Sequence, residues 1–225
     1  MAQEQETKAP IIRSRNKKCS GPYLISENPP HYLSAVELED IPEMVRILNI
    51  DKEVYNGTHS FQYPYLESHA RPRIENTFLR DNAAGYTSTW AMRTSPQGPM
   101  MGWITHHFLP EGTRAHPETG RDLKISAIGY WVSPEHVGKG YASRSAQFVT
   151  HEILFKERGC DIVRAEAYTH NKPSRKVLEA AGMRCEVEKW TVFIPKLEKD
   201  MTIACYAAHL DDSTKSIVTD KTRDP

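Results

Sequence analysis

Apolar and polar positions change period several times between about residue 31 and residue 210. HYLSAVEL (31–38) alternates and predicts a strand. In EDIPEMVRILNI (39–50), Asp40 precedes Ile41-Pro42, which suits an N-cap followed by proline in the first helical turn. Met44, Ile47 and Leu48 then recur at helical spacing. Residues 71–81 read as a second helix. Strand-like runs follow at 86–94, 99–108 and 124–132, the first two joined by the turn SPQG and the last two by a polar loop, PEGTRAHPETGRD (110–122). RSAQFVTHEILFKER (144–158) is helical, with Phe148, Ile153 and Phe155 on its buried side and Gly159 as its stop. IVRAEAY (162–168) is a strand. A short helix opened by Asn171 or Ser174 ends at Gly182, and runs at 185–194 and 201–210 read as two closing strands. The order is one strand, two helices, three strands, helix, strand, helix, two strands, which predicts a mixed α/β (α+β) domain with about seven strands.

Residues 1–30 and 211–225 are polar and read as tails around a domain at 31–210. The first tail contains a basic run, RSRNKK (13–18), which reads as a solvated segment, with nuclear targeting the rarer alternative. Lys plus Arg equals Asp plus Glu, so no global field draws the chain to nucleic acid or an anionic membrane, and neither partner is expected. The start lacks the apolar run of a signal peptide and no stretch is long enough to span a bilayer, so a cytoplasmic or nuclear compartment is expected. Cys19, Cys160, Cys185 and Cys205 form no CxxC pair, which argues against a zinc site and a disulfide framework; the last three are expected to be reduced and buried.

The most informative segment runs from Tyr130 to Ala142. A strand enters a loop with Gly138 and Gly140 two residues apart, and a helix begins at once. Such a loop presents successive free backbone N–H groups at a helix N-terminus, where they and the helix dipole bind an anion such as a pyrophosphate. The motif is neither a Walker loop, since GxxxxGK[ST] is absent, nor a dinucleotide fingerprint, since Ser143 stands where the third glycine would fall. After the next strand comes Asn171-Lys172-Pro173-Ser174, followed by Val177-Leu178 and Gly182-Met183.

Together these elements resemble the GNAT acetyltransferases, and more narrowly the branch that includes the bacterial ribosomal-protein N-terminal acetyltransferases. The strand G-Y-W, the loop P-E-x-x-G-K-G-Y-A and the helix N-x-x-S-x-x-V-L-x-x-x-G-M stand at the family's separations, and Gly102-Trp103-Ile104 resembles its G-x-I strand. The resemblance covers about residues 30–210. It implies a three-layer fold with a twisted mixed sheet, acetyl-CoA as cosubstrate without a metal, and an amine acceptor, either a protein N-terminus or a small molecule. Two central parallel strands, 124–132 and 162–168, would splay apart to admit the pantetheine arm, with Gly129 supplying a local irregularity. By the same resemblance the backbone of Val132 meets the pantetheine and the amides of Val137, Gly138, Lys139, Gly140, Tyr141 and Ala142 hold the pyrophosphate. Lys139 adds charge or is simply solvated. Asn171 bonds to the pantetheine, and Ser174 sits near the thioester sulfur, where it would donate a hydrogen to the leaving thiolate. Both also suit helix capping.

One departure matters. The family often has a glutamate base two residues before the glycine of G-Y-W; here that residue is Ala127. His106 or His107, Glu166 and His170 are replacement candidates, and an N-terminal α-amine, with its pKa near 8, needs little help. The acceptor site would be built from residues 51–70 and the two closing strands, and Tyr55, His59, Phe61, Tyr63 and Tyr65 suggest either an aromatic wall for the acceptor or packing between helices and sheet. The alternatives to an enzyme are a non-catalytic acyl-CoA-binding module and a nucleic-acid or protein-interaction protein using the basic tail, against which the zero net charge speaks.

Overall fold

The helix expected after Asp40 forms because Ile41, Met44, Ile47 and Leu48 make one buried stripe, and it runs Ile41–Leu48 (α1). In the computed structural model, residues 21–109 and 122–210 are described. The elements in chain order are β1 (Tyr23–Glu27), β2 (Pro30–Ala35), α1, α2 (Glu53–Gly57), α3 (Glu67–Arg73), α4 (Arg80–Ala83), β3 (Thr89–Arg93), β4 (Gly102–Phe108), β5 (Ile125–Val132), α5 (Tyr141–Phe148), β6 (Ile162–Tyr168), α6 (Lys172–Ala180), β7 (Arg184–Ile194) and β8 (Lys199–His209). Wide π-type turns at Ile74–Leu79 join α3 to α4, and similar turns at Val149–Glu157 prolong α5.

The strands form one eight-stranded sheet in the order β1-β2-β3-β4-β5-β6-β8-β7. All neighbours are antiparallel except β5 and β6. One core lies between the sheet and α5 and α6, centred on Trp90, Ile104, Val149, Ile153, Val163 and Leu178. A second core, on the opposite face, packs α1 and α3 onto the sheet through Met44, Ile47, Phe61, Ile74, Trp103 and Trp131.

Several expectations are corrected. The polar tail stops short of residue 30: Tyr23–Glu27 is a strand, held as a hairpin against β2, and it is the eighth strand. Residues 1–20, the interior of the 110–122 loop and the segment after 210 lie outside the described residues. Asp40 does not cap α1 through its side chain. Its carboxylate instead accepts from both terminal nitrogens of Arg93 at 2.7 Å, a buried bidentate pair that ties the start of α1 to β3. Cys160 is buried, but Cys185 is exposed because β7 is an outer strand facing solvent, and Cys205 is half-buried.

Candidate active site

The parallel pair β5 and β6 is joined only at its start, through Ile125 with Ile162, Ser126 with Val163, and Ala127 with Arg164. Both strands continue, β5 to Val132 and β6 to Tyr168. From Ile128 onward β5 therefore has β4 on one side and no strand on the other. Unpaired backbone at a strand edge is a template for an extended, amide-bearing ligand. The expected irregularity at Gly129 is absent, since the β4–β5 register is unbroken from Phe108–Ser126 to Gly102–Val132. The gap arises from divergence of β6, not from a bulge in β5.

A cleft of about 720 Å³ lies at this divergence. Ala127 to Trp131 form one wall, β6 contributes Arg164 to Glu166 and Tyr168, β4 contributes Trp103, Thr105 and His107, and residues 57–61 with Arg73 close it from the helical side. Ser174 lies at the α6 end.

The loop beyond β5 has the expected form. Gly138 and Gly140 both adopt φ of +78°, the left-handed region that glycine enters without steric cost. Gly140 is the residue immediately before α5. Val137, Gly138 and Lys139 are exposed, and Val137 is 59% accessible. Among the described residues, no amide from Val137 to Ala142 donates to a backbone carbonyl in a turn or loop, and the first-turn amides of Tyr141 and Ala142 have no intrahelical acceptor. Lys139 Nζ donates to the Glu135 carbonyl at 2.9 Å. Arg144, one turn into α5, donates to the Lys139 carbonyl at 3.1 Å. Val132, half-buried at the end of β5, packs its side chain on the α5 and α6 core.

Asn171 caps α6: its side-chain oxygen accepts from the Ser174 amide at 3.1 Å. Ser174 Oγ lies 3.0 Å from the Tyr130 hydroxyl, which also donates to the Ser174 carbonyl at 2.9 Å. Tyr130 thus crosses from β5 to the first turn of α6. Burial raises its pKa, so the phenol is neutral.

Alternation on β4 separates the two neighbouring histidines. His107 lines the cleft. His106 is buried on the other face, stacked 5.9 Å from Trp90. Arg158 Nη1 donates to His106 Nε2, so the neutral ring carries its hydrogen on Nδ1 and donates to Ser126 Oγ at 3.0 Å. Burial and Arg158 lower its pKa to about 3. His106 is therefore removed from the candidate bases, as is His170, which stacks on Tyr168 at 5.5 Å outside the cleft lining. Glu166 remains, and His59 joins it. Burial lowers the His59 pKa, partly offset by Glu166. Of the aromatic wall, Phe61 lines the cleft, whereas Tyr65 is fully buried packing and Tyr55 and Tyr63 lie outside the cleft lining. Tyr130 as the Ser174 partner, and Arg73 and Arg164 as lining cations, are not apparent from the motifs. Strand alternation on β6 is the one signal that would have turned Arg164 toward Glu166 and the cleft.

Residues 32–184 match the family model described as an acetyltransferase (GNAT) domain. The chain belongs to the GNAT acetyltransferases. Solved GNAT relatives share the fold at low identity. An acetyltransferase of the GNAT family from Bacillus anthracis is 21% identical with a TM-score of 0.61, over 80% of this chain and 95% of that one. RimJ from Mycobacterium smegmatis, solved with CoA-disulfide, is 18% identical with a TM-score of 0.57, over 81% and 83%. RimL, described as a ribosomal L7/L12 α-N-protein acetyltransferase in complex with coenzyme A, is 17% identical with a TM-score of 0.61, over 84% and 99%. No curated protein sequence matches the chain. Among the described residues of this GNAT domain, no cluster of His, Cys, Asp or Glu is arranged to hold a metal, and no helix is long and apolar enough to cross a membrane.

Proposed function

We propose that this GNAT acetyltransferase moves the acetyl group of acetyl-CoA to a primary amine by direct attack on the thioester, in the cleft between β5 and β6. The observation that carries the reading is the conjunction of an unpaired β5 edge with a glycine loop of free amides directly beyond it. The two features suit the two parts of one molecule, an amide-bearing arm and a diphosphate. Acetyl-CoA supplies the activated acyl group, and every other contribution comes from the chain.

The amides of Val137, Gly138, Lys139, Gly140, Tyr141 and Ala142 hold the diphosphate. The edge of β5 up to Val132, with Asn171, aligns the arm and fixes the thioester at the mouth of the gap. Ser174 Oγ–H donates to the departing sulfur. Tyr130, whose own hydrogen goes to the Ser174 carbonyl, stands 3.0 Å from Ser174 Oγ and offers its oxygen as the resting acceptor from which the serine hydrogen turns to the sulfur. On the acceptor side, Ala127 takes no proton. His59, His107 and Glu166 are the proton acceptors that line the cleft. With its pKa lowered, His59 is neutral at pH 7 and ready to accept.

The acceptor is a primary amine, either a protein N-terminus or a small molecule. The test is release of free CoA thiol from acetyl-CoA in the presence of an amine panel spanning N-terminal peptides, polyamines and amino acids. Amine-dependent thiol release with a matching acetylated product supports the reading. Acetyl-CoA binding without turnover across the whole panel supports the second reading, a non-catalytic acyl-CoA module, which Ala127 motivates.

A further inference from the structure

Ala127 and Arg164 are the last register partners before β5 and β6 part. Both line the cleft. At position 127 only a methyl group is presented to that lining. Among the described residues the Arg164 guanidinium has no hydrogen-bond or ion-pair partner, and its Nε is enclosed without an acceptor. Glu166 points to the same face two residues on, yet makes no ion pair with it. A second guanidinium, Arg73, also lines the cleft. Its partners are the Ser60 carbonyl at 3.2 Å and the ring faces of Phe61 and Trp103, at 5.0 and 5.9 Å, and none of these is an anion. The charged lining is thus two arginines against one glutamate, with His59 neutral and His107 beside them.

An under-bonded guanidinium in a partly enclosed cleft is costly to leave unpaired, and its planar fork matches a carboxylate. The surplus positive charge also favours the neutral form of an amine brought close to it. We infer that the acceptor is an amine carrying its own carboxylate near the reacting nitrogen, with Arg164 binding that carboxylate beside Ala127. Arg73 adds a second positive charge to the same cleft. This inference rests on the acetyl-transfer reading above and adds the acceptor class to it. The carboxylate has two sources, the α-carboxylate of a free amino acid or the side chain of an acidic residue next to a peptide N-terminus.

The experiment compares thiol release from acetyl-CoA with standard α-amino acids against their α-amides, and with peptides bearing Asp or Glu at the second position against the Asn or Gln versions. Wild type is run beside Arg164→Gln and Ala127→Glu, and acetyl-CoA affinity is measured by calorimetry for all three proteins. We expect one acid series to exceed its neutral counterpart by about 10- to 100-fold in kcat/KM, the size of one charge-assisted contact. The series that shows the gap identifies the source. Arg164→Gln is expected to collapse that ratio toward one, and so is Ala127→Glu, whose new carboxylate occupies Arg164. Unchanged acetyl-CoA affinity certifies that each variant is folded. Equal rates for acids and neutral counterparts, a ratio that survives both substitutions, or acetyl-CoA binding with no turnover of any acid would overturn the inference. Failure to bind acetyl-CoA at all would instead defeat the acetyl-transfer reading on which it rests.

Discussion

At the scale of single residues, Tyr130 and Ser174 form the hydroxyl pair on which the proposed chemistry rests. Each is a neutral hydroxyl, and they are 3.0 Å apart across the gap between β5 and α6. If Ser174 is the proposed donor to the departing sulfur, Ser174→Ala is expected to lower kcat on the order of 10²-fold with little change in acetyl-CoA affinity. Tyr130→Phe is expected to lower it by less, since Tyr130 acts through Ser174, and steady-state kinetics on both variants checks the order. Gly140 behaves differently. An alanine there must hold φ near +78° and brings its Cβ within 2.7 Å of Arg144. Gly140→Ala is expected to destabilise the domain by about 1–2 kcal/mol and to weaken acetyl-CoA binding, read by denaturant titration and calorimetry. The left-handed turns at Gly138 and Gly140 and the Asn171 cap on the Ser174 amide were legible in the sequence because their spacing is local. Tyr130 as the partner of Ser174 was not, since 44 residues separate them and only the fold brings them together. His106 and His107 show the same limit. Alternation says that one faces the cleft, and only the packing of Trp90 and Arg158 says which.

At the scale of elements, most strands and helices follow from period and caps, with boundaries displaced by a few residues. The exceptions have physical causes. β1 is short and half-exposed, so its residues lack the alternation of a buried strand. The helical run from α3 to α4 starts earlier than expected, at Glu67, because residues 67–70 are largely polar and give no apolar period to read. Asp40 reads as an N-cap by type, yet its partner is Arg93, 53 residues away and invisible to local rules. That pair joins β3 to the start of α1, with Arg93 Nε also donating to Ser34 Oγ at 2.7 Å. Asp40→Ala leaves a buried guanidinium uncompensated and is expected to cost about 3–5 kcal/mol. The double variant Asp40→Leu with Arg93→Met should recover much of that loss. Urea unfolding of the three proteins checks it.

At the scale of the whole molecule, the sheet is continuous except where β5 and β6 part, and a core lies on each of its faces. The α5 and α6 core contains two buried histidines that are neutral in the folded state. His31, held by Ser145, has its pKa lowered to about 4 by burial and by Arg144, and His106 to about 3. Unfolding restores both to their ordinary value near 6.5. Their contribution is therefore complete above pH 6.5 and is lost progressively as pH falls toward 4 and then 3. Each is expected to cost up to about 1.4 kcal/mol per pH unit in that window. Thermal melting from pH 7.5 to 4.5 should show a steady fall, and His106→Gln should flatten part of the slope. Global architecture was the most legible level, since element order and joint motifs fix the family's fold. The acceptor side was the least, because its lining comes from five separate segments that share no motif.

The most direct measurement is calorimetric titration of acetyl-CoA, and of dephosphorylated pantetheine lacking the diphosphate, into the full-length protein. Saturable micromolar binding of acetyl-CoA is expected, with a loss of at least about tenfold for the truncated ligand if the amides from Val137 to Ala142 hold the diphosphate as proposed. Absence of acetyl-CoA binding, or equal affinity for the two ligands, would contradict it.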